Sequence, residues 1–401
     1  MNEKNNKGSL AAAFTIGTTA FAAHAGGGFA TGNQANTYFV GLGWVSILSA
    51  VLAMVILALS VREAQIMWNT RNLKSYKELF STLFHPFDRV AYVFDVFYYI
   101  MILMVVASCI AGAASALKQY LGMPYQLAAV GIGLLILVLS IFGAGLIRKA
   151  STYMGIVILV LSITIYAVGL LKGHNLFAAM GSSFQSQGLS MLPKAVFNAF
   201  TYAGAQWVTI PGVLACGTIL KTKKDCTKGM FFMLLFNCIG LGLSVLMLLS
   251  WHDYFMAVEG GSTLPTLTVL MNMDMGVLVI AYCVVLLLCM VSSGVVVVFG
   301  FVNRVENAKC LSFVKGKHVR RALIAVFIML LSMSISFIGL TNIVKFGYGY
   351  CGYIAICVAI LPLLTIGYFK NRKFIKAHPV ELQAYDDEEA EKELSLKLSE
   401  E

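Results

Sequence analysis

Charged residues are scarce in this chain, and their scarcity excludes the commonest class of protein. Only 12% of the 401 residues are charged, 59% are hydrophobic, and the mean hydropathy is +0.82. Soluble globular domains carry about 25% charged residues, so this composition excludes such a domain. Apolar runs of about 20 residues recur along the chain, which is the length that crosses a bilayer as a helix. They lack the alternation of barrel strands, and the sequence therefore predicts an all-α polytopic membrane protein.

Paired cysteines and catalytic motifs are also missing. None of the nine cysteines forms a Cys-x-x-Cys pair or joins histidines at the spacing of a metal site. The chain contains no His-Glu-x-x-His and no Gly-x-Ser-x-Gly motif, so nothing indicates a zinc or serine hydrolase. We therefore expect a protein that is not an enzyme, with no catalytic residues and no cofactor.

Ten apolar segments are long enough to be membrane spans. Their approximate bounds are 10–40, 44–68, 89–117, 126–147, 152–171, 193–220, 230–251, 275–303, 319–340 and 343–369. If they cross alternately from a cytoplasmic N-terminus, 25 of the 29 Lys and Arg fall inside, and only Lys118, Lys172, Lys194 and Lys345 fall outside. Basic residues concentrate on the cytoplasmic side of membrane proteins. The pattern predicts about ten spans in a plasma membrane, both termini cytoplasmic, and no nucleic-acid partner.

The ten segments divide into two halves of five. The predicted boundaries give a cytoplasmic tail at 1–9, a first five-helix repeat at 10–172, an outer loop at 173–192, a second repeat at 193–369 and an acidic cytoplasmic tail at 370–401. Two connections predict helices of their own. Residues 75–90 read as a cytoplasmic amphipathic helix that ends at Pro86, and residues 251–275 predict a short helix over the outer face.

Segments 1 and 6 both contain residues that interrupt a helix. Segment 1 has three consecutive glycines, Gly26 to Gly28, and each glycine inside a helix costs about 1 kcal/mol relative to alanine. Segment 6 contains Gly204 and the pair Pro211-Gly212, and proline removes a backbone donor. Interrupted segments at matching positions of two halves are typical of inverted-repeat transporters. The alternative is that the segment 1 glycines let a neighbouring helix pack closely.

A break inside the membrane leaves backbone groups without hydrogen-bond partners. Each such group in hydrocarbon costs several kcal/mol, so a break persists where it lines a cavity whose contents supply the missing bonds. Half-helix amides favour a carboxylate, and half-helix carbonyls favour a cation. The amides of Gly26, Gly27 and Gly28 are therefore candidate donors to an anionic group of a substrate.

Segment 8 contains two adjacent hydroxyls, Ser292 and Ser293, in an otherwise apolar run. Membrane serines commonly bond to their own helix, but adjacent hydroxyls can also bind sodium. Ten spans, two interrupted segments and this pair resemble the LeuT-type fold of the amino acid–polyamine–organocation superfamily, over about residues 10–369. The stretch GGGFATGNQ is similar to the Gly-x-Gly-Phe-Ala-Ser-Gly-Gln pattern of the YkvI-like membrane proteins. The resemblance implies a 5+5 inverted repeat with discontinuous helices 1 and 6.

The resemblance also implies where ligands bind. A coupling sodium ion would lie between segments 1 and 8, with the ligands Ala22, Ala25, Cys289, Ser292 and Ser293. Segment 5 has no lysine of the kind that replaces sodium in some relatives. The substrate would lie between the breaks, against Gly26, Gly27 and Gly28 on one side and Thr201, Tyr202, Ala203, Gly204 and Trp207 on the other. Segment 3 would contribute Tyr98, Tyr99 and Ile102.

Two ionisable residues lie inside the predicted spans, and such residues are functional candidates by default. His24 directly precedes the glycines. It could bind a substrate carboxylate or relay a proton, or it could be a neutral ring bonded to a backbone carbonyl. Asp95 lies about two turns into segment 3, and we expect it to pair with an arginine such as Arg62 or Arg89 in an inner gate, or else to face water near its helix end.

Neither interrupted segment has an acidic residue near its break, which disfavours simple monoamines as substrates. A zwitterion can bind through its own carboxylate, and aromatic rings can hold a quaternary ammonium. The sequence predicts a sodium-coupled secondary transporter of an amino acid or a derivative, working by alternating access. A proton-coupled carrier and a carrier of a betaine-like amine are the alternatives. A non-transporting receptor and a channel are the candidates from other classes.

Overall fold

A computed structural model gives the fold and describes residues 2–24, 26–143, 157, 160–173, 176–273, 275–306 and 316–378. All regular secondary structure in these ranges is helical. In chain order the helices are α1 (Asn2–His24), α2 (Gly27–Ala30), α3 (Asn33–Tyr38), α4 (Ser46–Thr70), α5 (Tyr76–Phe84), α6 (Ala91–Leu121), α7 (Tyr125–Val138), α8 (Val160–Leu171), α9 (Leu176–Gln187), α10 (Leu192–Gln206), α11 (Ile210–Cys216), α12 (Lys223–Ser250), α13 (His252–Ala257), α14 (Pro265–Asn272), α15 (Gly276–Val305), α16 (Lys317–Ser336) and α17 (Leu340–Ala377).

Seven helices in the described ranges are long and apolar enough to cross a membrane. They are α4, α6, α7, α12, α15, α16 and α17, and they correspond to predicted segments 2, 3, 4, 7, 8, 9 and 10. Segments 1 and 6 are divided into shorter helices, and α8 lies within segment 5. In α6, 72% of the apolar window is buried inside the protein, so segment 3 lies at the centre of the bundle. The chain is a multi-pass membrane protein.

Segment 1 is interrupted where the glycine run predicts it. Helix α1 ends at His24, and the next helix begins at Gly27. A second interruption follows at Gly32, whose φ of +77° lies in the left-handed region that favours glycine. A Cβ at Gly32 would also lie 2.4 Å from the Thr266 hydroxyl of α14. The stretch from Gly27 to Tyr38 therefore forms two short helices and not one continuous half-span.

Segment 6 is also interrupted, at a point between Gly204 and the Pro211-Gly212 pair that the sequence pointed to. Helix α10 runs through Gly204 and ends at Gln206. Residues 207–209 form turns in which each amide bonds to the carbonyl three residues earlier, and α11 begins at Ile210. Pro211 lies in the first turn of α11, where its missing N–H removes no bond. The expectation that Gly204 breaks the helix is wrong. A Cβ there would lie 2.5 Å from the carbonyl oxygen of Gly352, so Gly204 lets α10 pack closely against α17.

Side-chain contacts show the relative directions of the helices. Helices α1 and α12 touch at Ser9–Asp225, Gly17–Phe232 and His24–Asn237, so they run parallel. Helices α6 and α15 touch at Asp95–Arg304, Tyr99–Phe301 and Gly112–Met290, so they run antiparallel. Segments 1 and 7 are both odd-numbered, whereas segments 3 and 8 differ in parity. Both directions agree with alternating crossings.

The connections contain the predicted short helices. Helix α5 begins after the cap Ser75, whose hydroxyl accepts from the Glu78 amide, and it ends before Pro86. Its buried face is formed by Tyr76, Leu79, Phe80 and Leu83, which is the apolar side of an amphipathic helix. The outer 7–8 connection contains two short helices, α13 and α14, where the sequence predicted one. Helix α9 lies in the 5–6 connection and was not predicted.

Candidate functional site

His24, the last residue of α1, is buried between segments 6 and 7. Its Nδ1 contacts Oδ1 of Asn237 on α12, and its Nε2 lies 2.8 Å from the hydroxyl of Tyr202 on α10. Asn237 donates its own Nδ2 to the Met233 carbonyl at 2.8 Å, which leaves Oδ1 as the acceptor for His24. The Nδ1–H of His24 therefore donates to Asn237, and a neutral ring accepts from Tyr202 at Nε2. The hydrogen-bond partners of His24 are therefore side chains. The sequence had offered a backbone carbonyl as one alternative.

The amide group of Gln34 lies between the two broken segments. A Cβ built on Gly28 would be 2.5 Å from Nε2 of Gln34, so this side chain folds back over the glycine run. Its Oε1 lies 3.3 Å from the Tyr202 hydroxyl and 3.3 Å from Nε2 of Gln206. Gln34, Tyr202 and Gln206 thereby join the chain after the first break to the last turn before the second break.

Segment 8 contacts segment 1 on the other side of the break. The Ser293 hydroxyl lies 4.0 Å from the position of a Cβ on Gly26, and the Tyr282 hydroxyl donates to the Ala30 carbonyl at 2.6 Å. Ser292 is buried and donates to the Cys289 carbonyl at 3.1 Å. The Ser293 hydroxyl of α15 therefore lies near Gly26, whereas Ser292 makes the bond within its own helix that was the alternative for a membrane serine. Hydroxyl and carbonyl oxygens of this kind are ligands suited to a hard cation.

The remaining predicted sodium ligands come from the end of α1. Ala22 lies two residues before the last residue of this helix, so its carbonyl belongs to the terminal turn, which has no intrahelical donors. Ala25 lies outside the described residues. Ala22, Cys289, Ser292 and Ser293 fit a sodium ion by the chemistry of their oxygens, and the ligand set stays a prediction.

The predicted wall of segment 6 is buried. Thr201, Tyr202, Ala203, Gly204 and Trp207 all have less than a tenth of their surface exposed. Trp207 donates its Nε1 to the Ser60 hydroxyl of α4 at 3.2 Å, and its ring lies edge-on to Phe80 and Phe94. The indole therefore packs toward segments 2 and 3, whereas Tyr202 is the residue of this set that reaches His24.

The predicted residues of segment 3 lie in two environments. Ile102 is buried in the core. Tyr98 and Tyr99 lie nearer the start of α6, with ring centroids 5.4 and 5.9 Å from the guanidinium carbon of Arg304. Both tyrosines therefore contact Arg304, which belongs to a cluster of charged residues at the end of α15. Their assignment to a substrate wall stays a prediction.

Asp95 is the centre of that cluster. It accepts from the Tyr76 hydroxyl at 2.7 Å and forms ion pairs with Lys77 at 3.4 Å and Arg304 at 3.6 Å. Burial, with the bond to Asp95 second, raises the pKa of the Tyr76 phenol, so this hydroxyl stays a donor. The predicted partners were wrong: Arg304 takes the place of Arg89 and Arg62, and Arg62 pairs with Glu63. The network joins α5, α6 and α15, and its role as an inner gate stays a prediction.

Sequence reasoning did not single out Gln34, Gln206 or Asn237. All three are polar residues inside apolar segments, which was the available signal, because such groups need partners in a membrane. Their partners are distant in the chain, and Asn237 meets a histidine 213 residues away. The sequence therefore indicated that they were unusual without indicating what they contact.

Comparison with solved structures gives the fold. The chain matches a Na⁺-coupled sialic acid symporter in its substrate-bound outward-open state with a TM-score of 0.58 and 11% identity, covering 88% of this chain and 79% of the other. It matches the Eremococcus coleocola manganese transporter at 0.56 and 14%, covering 100% and 92%, and MhsT in complex with L-phenylalanine at 0.53 and 14%, covering 87% and 98%. These neighbours are transporters and not enzymes.

No protein-family model and no curated protein matches the chain. The resemblance to the YkvI-like membrane proteins therefore stays a prediction. The structural neighbours are similar over most of their own length, and their identities of 11–14% show the fold alone. Helices interrupted at segments 1 and 6, a central segment 3 and these neighbours together show that the chain has the LeuT-type fold.

Proposed function

We propose that this protein is a secondary active transporter that carries a small zwitterion, an amino acid or a derivative, together with sodium. The observation that carries the proposal is the contact between the two breaks through His24, Tyr202 and Gln34, with Ser293 of segment 8 beside Gly26. Donors for a carboxylate and oxygens for a cation thus meet at one place in the fold. Alternating access would expose this place to each side of the membrane in turn.

The polar groups at the breaks support a zwitterion as the cargo. Those described there, on Gln34, Tyr202, Gln206 and Asn237, are amides and a hydroxyl, with the His24 imidazole between them. Among the described residues, no group of three or more His, Cys, Asp or Glu is placed to hold a metal ion. The site therefore favours an organic cargo over a divalent cation. Such neutral donors and acceptors suit a molecule that carries both of its charges itself.

Proton coupling through His24 is the second candidate, and one feature of the site favours it. The Tyr202 hydroxyl has a single proton but two acceptors within reach, at His24 and at Gln34. With a neutral His24, the hydroxyl donates to the ring. Protonation of Nε2 would turn it into a donor, and Tyr202 would then donate to Gln34 instead. A proton on His24 would in this way change the contact between the two breaks.

Uptake into proteoliposomes tests the proposal. A panel of radiolabelled amino acids and betaines is offered with an inward sodium gradient, with a potassium gradient of the same size, and with a proton gradient. Sodium-driven accumulation that is lost in a Ser292→Ala, Ser293→Ala double variant supports sodium coupling. Ser334→Ala is the control, because this exposed serine bonds only within its own helix at 2.9 Å.

Two outcomes contradict parts of the proposal. Full sodium-driven uptake by the double variant would remove the two serines from the ion site. Accumulation driven by the proton gradient alone, and lost in a His24→Gln variant, would replace sodium with a proton. Absence of accumulation for every compound and gradient, with ligand binding retained, would indicate a receptor.

A further inference from the structure

A cavity that includes none of the residues at the breaks lies between the amphipathic helix α5 and the end of α17. Its volume is about 580 Å³. Three cationic side chains, of Arg71, Lys370 and Lys373, line it together with Phe374 and the short segment after α5. Positive-inside topology places this end of α17 on the cytoplasmic side of the membrane. Neither the transport site nor the Asp95 network includes these residues.

Two of the three cations of this cavity, Arg71 and Lys370, are held by neutral groups. Arg71 donates to Oδ1 of Asn371 at 2.9 Å and to the Lys370 carbonyl at 3.2 Å, and its guanidinium carbon lies 4.2 Å from the centre of the Phe374 ring. Lys370 donates to the carbonyls of Thr82 and His85 at 3.0 and 2.8 Å. Burial lowers the pKa of Arg71 to about 10, so it keeps its charge at neutral pH.

One carboxylate, of Asp88, lies in the cavity. It is 3.4 Å from Nδ1 of His85 and interacts electrostatically with Lys370. One carboxylate thus faces three cations, which leaves net positive charge in this open cavity. Partly buried cations without matching carboxylates are stabilised by a bound anion.

We propose that this cavity binds a phosphate-bearing anion. Arg71 and Lys370 are positioned by their bonds to the protein, and Lys373 is exposed and can close over the ligand. The surrounding surface favours an anionic phospholipid as the source. Phe87 precedes Asp88 and is 74% exposed, and Phe369 precedes Lys370 and is 69% exposed. Exposed aromatic rings beside a basic pocket are suited to contact with lipid, and basic pockets at the cytoplasmic ends of helices bind anionic headgroups.

The site lies at one end of α5, whose other end belongs to the Asp95 network through Tyr76 and Lys77. A phosphate held against Lys370 would add a bond between this helix and α17, beside the Lys370 bonds to Thr82 and His85. Occupancy would therefore stabilise the position of α5, one of the three elements that Asp95 connects.

The test uses the full-length protein in detergent, titrated with phosphatidylglycerol, with phosphatidylcholine and with inorganic phosphate. Bound lipid is counted by native mass spectrometry, and stabilisation is followed by thermal shift. The variant is Lys370→Gln with Lys373→Gln. The matched control is Arg372→Gln with Lys376→Gln, which removes the same charge from the same helix outside the cavity. Lys373→Glu alone is a second variant, because an exposed side chain can be changed without loss of packing.

We expect phosphatidylglycerol to bind, phosphatidylcholine to bind much more weakly, and the control variant to match the wild type. Loss of two lysines should weaken binding about 30-fold. If inorganic phosphate gives the same cavity-dependent shift, the source is a soluble phosphate and the site stands. Equal losses in both double variants, or no anion effect in the wild type, would overturn the proposal. Neither result depends on whether the protein transports.

Discussion

The side chain of Gln34 lies where a methyl group on residue 28 would have to be. The three-glycine run was readable from the sequence because glycine is costly inside a helix. The reason why residue 28 must be glycine could not be read from the sequence. It depends on Gln34, six residues later, whose side chain folds back over Gly28. At the residue scale, the sequence thus indicated where the site lies but not which polar groups complete it.

A methyl group on Gly28 should therefore displace the Gln34 amide from Tyr202 and Gln206. We expect Gly28→Ala to reduce uptake about fivefold, the effect of one lost hydrogen bond of about 1 kcal/mol. Because Gln34→Ala removes the displaced group, the double variant should show less than the sum of the two losses. Initial uptake rates measure this, with Gly131→Ala as a control in open space. Additive losses would show that the two residues act separately.

The bond between His24 and Asn237 supports a second prediction. Asn237→Leu removes the acceptor of a buried N–H, which should cost about 1–3 kcal/mol and lower the melting temperature. Asn237→Asp keeps an acceptor oxygen and should cost less. Differential scanning fluorimetry in detergent compares the two. A melting temperature that is equal for the Leu variant and the wild type would mean that His24 bonds elsewhere.

Helices α10 and α17 make one of the closest approaches in the molecule. Gly204 and Gly352 face each other there, and a Cβ on Gly352 would lie 2.4 Å from the Thr201 carbonyl oxygen. From the sequence, we interpret Gly204 as a helix breaker, together with the Pro211-Gly212 pair, because glycine is costly inside a helix. The contact that explains it comes from a residue 148 positions later, which no local pattern contains. Element positions were thus predictable from hydrophobic runs, and their packing contacts were not.

Gly204→Ala should separate these helices, because the atom that it meets is backbone and cannot rotate away. We expect a loss of about 1–3 kcal/mol, as for overpacked cores. The matched control is Gly212→Ala in α11, which has nothing within 4 Å and should be neutral or slightly stabilising, since alanine favours helix. Melting temperatures of the two variants decide this. Equal values would mean that α10 and α17 move apart at little cost.

The Asp95 network joins three parts of the chain. Loss of one of its bonds should therefore affect the conformation of the whole molecule. Arg304→Gln removes one ion pair and the cation–π contact with Tyr76, whose ring centre lies 3.9 Å away. We expect the cytoplasmic side to open more often. Cys289 is buried beside the predicted ion site, so its alkylation rate by a hydrophilic maleimide should rise severalfold.

Among the described residues, Cys216 and Cys357 are the exposed cysteines. Both are replaced by alanine to lower the background, together with Cys310, which lies outside the described residues. Lys77→Gln is the milder comparison, because the Lys77 side chain is 53% exposed, and exposed pairs contribute about 0–1 kcal/mol. Sodium should slow the alkylation if Cys289 is part of the ion site. An unchanged rate in Arg304→Gln would mean that the network does not limit access.

The sequence was most informative about the topology of the whole molecule. Charge asymmetry along the chain predicted alternating crossings, and the parallel pairing of α1 with α12 and the antiparallel pairing of α6 with α15 agree with it. The predicted partner of Asp95 was wrong because several arginines lie near the same membrane face. A count of charges gives the side of the membrane but not the side-chain partner.

The pairing of α1 with α12 has a mechanical consequence. Before the first break, the chain is tied to α12 by Ser9 and His24. After it, Ala30 is bonded to Tyr282 of α15, and Tyr38 is bonded to the Val344 carbonyl of α17. Tyr202 of α10 contacts both sides of the break, through His24 before it and Gln34 after it. A movement of α15 and α17 relative to α12 would therefore twist the chain between these bonds, at the glycines, which are the residues with the least steric resistance to torsion.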